Sequence, residues 1–171
     1  MAAEPARRYL GKYRGTVEDT ADPLGIGRIT AKVPDVLGDE PSTWALPSFP
    51  VAGPGMGHYA VPPSGAGVWL EFEQGDINFP VWTGCWYGSS AEVPQAADAG
   101  LTGRRNTVLQ TGLQCRIVLS DDPETGLTLK APNGASIVVN ASGIHIDNGN
   151  GAKVSLSGNT VTINDDAFSV T

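Results

Sequence analysis

No stretch of these 171 residues approaches the ~20 consecutive apolar positions of a bilayer-spanning helix. The opening MAAEPARRYL also lacks an apolar run of signal-peptide length, so the chain is expected to be made and assembled in the cytoplasm unless something other than a signal peptide exports it. Cysteine is scarce: Cys85 and Cys115 form no CxxC and have no histidine nearby, so buried free thiols are the default, with a disulfide between them an alternative that the sequence does not support. Histidine is as rare. His58 has no acid at metal-ligand spacing and His145 lies between Ile144 and Ile146, so no metal, cofactor or catalytic residue is expected. GAG and GNG lack the helix start of a phosphate loop. Asp121-Asp122 and Asp165-Asp166 sit in turn-forming stretches, and neighbouring acids on an extended chain face opposite ways, so glycosidase chemistry is not expected. Positive charge is also short, with a net charge of −7. Arg7, Arg8, Lys12 and Arg14, and the pair Arg104-Arg105, are too few to overcome repulsion from a nucleic-acid backbone, so no nucleic acid is expected as partner. The chain reads as a non-enzyme.

What is abundant is turn chemistry, with 22 Gly and 13 Pro. In the last third, two apolar residues separated by one residue recur seven times: Ile117/Leu119, Leu127/Leu129, Ile137/Val139, Ile144/Ile146, Val154/Leu156, Val161/Ile163 and Phe168/Val170. Each pair is what a strand with one buried face writes, and the Gly, Asn, Asp, Pro and Ser between pairs are turn formers, so seven short strands are expected. No apolar helix is available to cover that face. Fourteen side chains over 57 residues do not offset the ordering entropy unless nearly all become dry. The economical solution is for several copies to turn these faces to a shared axis, with strand edges paired onto the next chain, making a stiff rod. A single-chain solenoid or half-sandwich is the alternative, and the pattern itself does not fix three-fold symmetry.

Before this ribbon, Tyr9 to Thr20 reads as a strand with Tyr13 and Val17 on the face that carries Gly11 and Gly15. The turn ADPLGIG leads into Arg28 to Val33, where Ile29 and Val33 alternate with polar neighbours. Pro34 to Gly67 is a long connection of undefined role, followed by strands Val68 to Glu73 and Pro80 to Tyr87. Four to five curved strands suggest a small closed barrel of the oligonucleotide/oligosaccharide-binding (OB) type, an SH3-like barrel being the alternative. Its expected core is Tyr13, Val17, Ile29, Val33, Trp69, Phe72, Trp82 and Trp86, with Trp82, Gly84 and Trp86 on one strand face. The predicted organisation is all-β: a barrel over 1–87, an Ala-rich linker over 88–112 with a helical turn near 96–100, and a ribbon over 113–171.

DPLGIGRITAKVPDV (Asp22 to Val36), WALPSFP (Trp44 to Pro50) and above all VPPSGAGVWLEFEQGDINFPVWTGCWY (Val61 to Tyr87) resemble the OB domain of central spike proteins. These are the phage baseplate assembly protein V family and the valine-glycine repeat spikes of type VI secretion. NTVLQTGLQCRIVLSDD, continuing into LTLKAPNGASIVV, resembles the passage from that domain into an intertwined β-helix. The resemblance implies a homotrimeric component of a phage tail or phage-tail-like particle, with the OB barrel followed by a trimeric β-helix needle. It implies a tail hub protein above the OB domains, perforation of a target cell envelope on sheath contraction, and a PAAR-type tip protein at the C-terminal end. The fourteen paired residues would then line the trimer axis. Three departures stand out: the linker leaves no room for the lysozyme domain of some members, His145-Ile146-Asp147 replaces an iron-binding His-x-His apex, and the needle is short. The competing reading is an OB module binding oligonucleotide or oligosaccharide through Trp44, Trp69, Trp82 and Trp86, with a β-rich oligomerisation tail. A hydrolase fragment is the third.

Overall fold

The computed structural model describes residues 7–165 and 167–170. The chain divides into two compact units between Ser90 and Ala91. In the first, β1 (Tyr13–Asp19), β2 (Thr30–Lys32), β3 (Leu46–Pro47), β6 (Gly67–Phe72) and β7 (Pro80–Trp86) form a sheet in the order β2-β1-β6-β7-β3. The segment read as one long loop is partly built. It holds a helical turn, α1 (Pro34–Leu37), and a small hairpin of β4 (Ala52–Gly53) and β5 (Met56–Gly57). It also closes the barrel. Ala45 exchanges both backbone hydrogen bonds with Ile29 beside β2, at 2.8 and 3.2 Å, while Leu46 pairs with Val81 of β7. A two-residue strand leaves almost no periodic trace, which is why the sequence showed only a loop there.

The core is Val17, Ile29, Ala31, Val33, Ala45, Val68, Leu70 and Trp82, with Tyr13, Phe49 and Val61 packed around it. Gly15 is required by this packing, because a Cβ there would lie 2.6 Å from Leu70 Cδ1. Phe72 is buried, its ring 5.7 Å from that of Tyr13. Two expected core residues are elsewhere: Trp69 and Trp86 lie half-buried on the outer face. Along β6, Trp69 alternates with the buried Val68 and Leu70. On β7 the register shifts, Trp69 opposite Gly84 but Leu70 opposite Trp82, so Thr83 is an extra residue. This bulge reverses the side-chain parity, turning Trp82 inward and Trp86 outward.

The turn between β1 and β2 is assembled around Asp22. Oδ1 accepts hydrogen bonds from Leu24 N, Arg28 Nε and Arg28 Nη2, at 3.0, 2.8 and 2.6 Å. Oδ2 accepts from Ile26 N and Arg28 N, at 2.9 and 3.1 Å. The Arg28 guanidinium first, and the backbone N–H donors with it, hold this carboxyl well below the usual carboxylate range. Leu24 and Ile26 are thereby displayed to solvent on a fixed loop.

In the second unit, α2 (Gln95–Asp98) is followed by eight strands: β8 (Thr107–Gln110), β9 (Arg116–Leu119), β10 (Leu127–Lys130), β11 (Ser136–Asn140), β12 (Gly143–Asp147), β13 (Lys153–Ser157), β14 (Thr160–Ile163) and β15 (Phe168–Val170). They form one antiparallel meander in sequence order. Each of the seven apolar pairs falls in a strand. The stretch read as linker contributes α2 and β8, and Asn106 ties them by donating from Nδ2 to Ala96 O and from its backbone N to Ala97 O, at 2.8 and 3.0 Å. β8 was not apparent because its inward-outward pattern places Thr107 where the other strands have an apolar residue. Among the described residues, six of the eight strands have both edges paired within the chain, so edge pairing with a sister chain, expected for the whole rod, is open at β8 and β15.

Two predictions follow from these local constraints. A methyl at Gly143 (φ 138°) would run into the Leu156 carbonyl oxygen, whereas one at Gly158 (φ 58°) meets nothing within 4 Å. Gly143→Ala should therefore cost ~3 kcal/mol and Gly158→Ala only ~1 kcal/mol in denaturant melts; equal losses would refute the close backbone approach. Because the folded pKa of Asp22 lies below its unfolded value, its stabilisation is full above the ordinary carboxylate pKa and lost as pH falls towards the folded value. Asp22→Asn should lower the melting temperature at pH 7, with the gap to wild type narrowing steadily as the pH falls below about 4, the ordinary carboxylate value.

Candidate functional site

The register of the meander lines up the apolar pairs into two rows that cross it. One runs Leu109, Ile117, Leu129, Ile137, Ile146, Val154, Ile163 and Phe168. The other runs Leu119, Leu127, Val139, Ile144, Leu156, Val161 and Val170, with Thr107 at its head. Seven inter-strand steps make each row roughly 34 Å long. The opposite face has Thr128, Val138, His145, Ser155 and Thr162 in its central row. His145 is held there between Ser142 Oγ at 2.8 Å and Ser155 Oγ at 3.2 Å.

Among the described residues, the apolar face has no cover within the second unit. Ile117, Ile137, Ile146 and Ile163 each keep 40–42% of their surface in solvent, and Leu119, Phe168 and Val170 more than half. The mid-strand residues of the polar face are the better buried of the two sets, and Val118, on that side, is nearly inaccessible. Such a continuous apolar surface is far beyond what monomers expose, which marks it as a protein interaction face. Covering the remaining two-fifths of an isoleucine contributes about 2 kcal/mol. Association costs on the order of 10 kcal/mol, so about six covered residues per chain suffice to hold copies together.

Among the described residues no group of three His, Cys, Asp or Glu side chains could hold a metal ion. Cys85 and Cys115 are free, as expected, but exposed rather than buried: Cys85 lies near the end of β7 and Cys115 in the turn before β9, neither reaching a core. Asp122 organises its own turn by accepting from Glu124 N at 3.0 Å and Thr125 Oγ1 at 3.3 Å; Asp121 is paired with Arg104 at 3.0 Å. The second acidic pair includes Asp166, which lies outside the described residues. The tryptophans offer no free stacking platform. Trp82 is buried and donates from Nε1 to Gly27 O at 3.1 Å. The Arg14 guanidinium stands 5.5 and 5.3 Å from the Trp69 and Trp86 ring centroids, and that of Arg28 5.4 Å from Trp44.

Two family descriptions match the chain. Residues 13–87 match the type VI secretion system/phage-baseplate injector OB domain, and residues 106–169 match the phage baseplate V C-terminal trimerisation domain. Together they span most of the chain, and the second match begins beside β8 and covers both apolar rows almost to their ends. No curated protein matches it.

Proposed function

The chain belongs to the phage baseplate V family, a homotrimeric structural spike component of a phage tail or injection system, and from that premise we propose that it is a non-enzymatic puncturing spike. Three ribbons turn Ile117, Leu119, Leu127, Leu129, Ile137, Val139, Ile144, Ile146, Val154, Leu156, Val161, Ile163, Phe168 and Val170 towards a common axis, joined by Leu109. The resulting three-sided β-helix is the needle that carries thrust into the target cell envelope when the sheath contracts. The barrels of residues 1–87 dock under the tail hub protein, and a PAAR-type tip protein caps the far end, where β15 leaves an unpaired strand edge. The particle is assembled in the cytoplasm.

The observation that supports this reading is the uncovered pair of apolar rows, coincident with the trimerisation match. A thrust-bearing rod needs a dry, interlocked interior, and seven strands in succession place two branched or aromatic side chains on that face. The outer face would then carry the row of Thr, Ser, Val and His145 beside a second row of Arg116, Lys130, Ser136, Asp147 and Lys153, a polar surface suited to water.

Two adjacent residues give the test of which face is inside. Ile146→Asp places three carboxylates around a dry axis and should convert the trimer to monomer by light scattering, a loss too large for any single rim contact. His145→Asp, one step along β12 on the other face, should leave the trimer intact. If the two variants behave alike, the axis assignment is wrong. The purified wild-type protein should also show no retention of single-stranded DNA or glycans at physiological salt; a monomer that binds either would replace the spike reading with that of a binding module.

A further inference from the structure

The barrel carries an apolar surface of its own. Between the Asp22-anchored turn and the β4–β5 hairpin lies a groove of about 430 Å³, floored by Phe49 and Tyr59 and rimmed by Ile26, Val51 and Met56. No Asp, Glu, Lys or Arg lines it. Ile26, Val51, Met56 and Tyr59 are all exposed, as is Leu24 beside them. Together they make an apolar patch on the order of 600 Å², at the upper limit for a monomer and close to one side of a standard interface. The floor is fixed, with the Phe49 ring 5.3 Å from Tyr59 and 5.4 Å from Trp82. The Ile26 rim is held through its backbone by Asp22. A preformed groove loses little entropy when it is filled.

We propose that the groove is filled by the barrel of a neighbouring copy in the trimer, through the apolar projection formed by Phe79 and Leu46. The proposal rests on the homotrimer. Three barrels tethered to one trimeric ribbon meet at an effective concentration on the order of millimolar, so complementary apolar surfaces among them are filled before those of a free partner. A concave groove cannot be filled by its own equivalent, and off the axis two copies related by three-fold symmetry meet head to tail, so the contact runs between two different surfaces of the same domain. The barrel has such a second surface. Phe79 and Leu46 are both exposed, and register and hydrogen bonding bring their segments together at the start of β7. The Phe79 turn is as fixed as the groove. Its N donates to Asp76 O at 3.1 Å, its O accepts from Glu73 N at 2.9 Å, and Thr43 Oγ1 donates to the Asn78 carbonyl at 3.2 Å.

The test uses the full chain with Cys85→Ser and Cys115→Ser, carrying Met56→Cys and Phe79→Cys together or singly. After trimer mass has been verified by light scattering, mild oxidation should give covalent dimers and trimers on non-reducing gels with the double variant and neither with the single variants. In parallel, hydrogen exchange at residues 24–27 and 51–58 should be slower in the wild-type trimer than in the Ile146→Asp chain. A trimer that forms no crosslink, with equal exchange in the two proteins, overturns this contact alone and leaves the groove as a free face for another component. A chain that is monomeric by mass overturns the spike reading as well.

Discussion

An antiparallel sheet needs something against both faces or water against the polar one, and the ribbon of β8 to β15 meets only half of that condition by itself. Its backbone is satisfied internally: strand follows strand, and the hydrogen-bond ladder is complete except at its two ends. Its side chains are not, because fifteen apolar residues stand in two rows with no element of the second unit laid over them. The separation of those two requirements is what makes a trimer rather than a monomer the stable form. Backbone pairing fixes the register, register aligns the rows, and aligned rows give a continuous apolar face that the ribbon by itself leaves wet.

This division of labour refines how the rod is built. From the sequence, sister chains were expected to supply strand edges as well as a dry interior. In the structure each chain completes its own sheet, which leaves face-to-face packing as the means of joining copies along most of the ribbon. A sheet whose edges are already used is also protected against runaway edge-to-edge growth while the copies find one another, since only β8 and β15 can recruit a foreign strand.

The ribbon was legible because its signal is local: an apolar i, i+2 pair, then turn formers, seven times, and each of those pairs is on the face the period assigns it. β8 escaped because one member of its pair is Thr107. The barrel was legible where strands are long. Val17, Ile29, Val33, Phe72 and Trp82 are buried as their alternation implied, and Tyr13 packs beside them. It was not legible where geometry depends on one residue. Thr83 adds a single position to β7, and that is enough to move Trp86 from inside to outside, an event without any compositional mark. Trp69 follows the alternation of its own strand: with Val68, Leu70 and Phe72 turned inward it takes the outer face, and a large aromatic side chain does not by itself say which face it occupies. The closing strand β3 is formed by tertiary hydrogen bonds over two residues, beyond the reach of any periodicity.

The same contrast separates the two kinds of surface on this protein. The ribbon face is dictated by pattern, repeated so often that losing one pair would leave the rest in register. The barrel surface is dictated by single residues: Asp22, whose carboxylate accepts five hydrogen bonds to hold one turn, and the rings of Phe49 and Tyr59 that support the groove beside it. A repeated face tolerates drift and suits a shaft, in which every layer bears the same load. A surface set by a few fixed turns discriminates between partners, because its shape does not adapt to a poor fit. The two units thus differ in how their surfaces are specified: the apolar face of the ribbon is spread over a repeated pattern, whereas the shape of the barrel surface hangs on a few single residues.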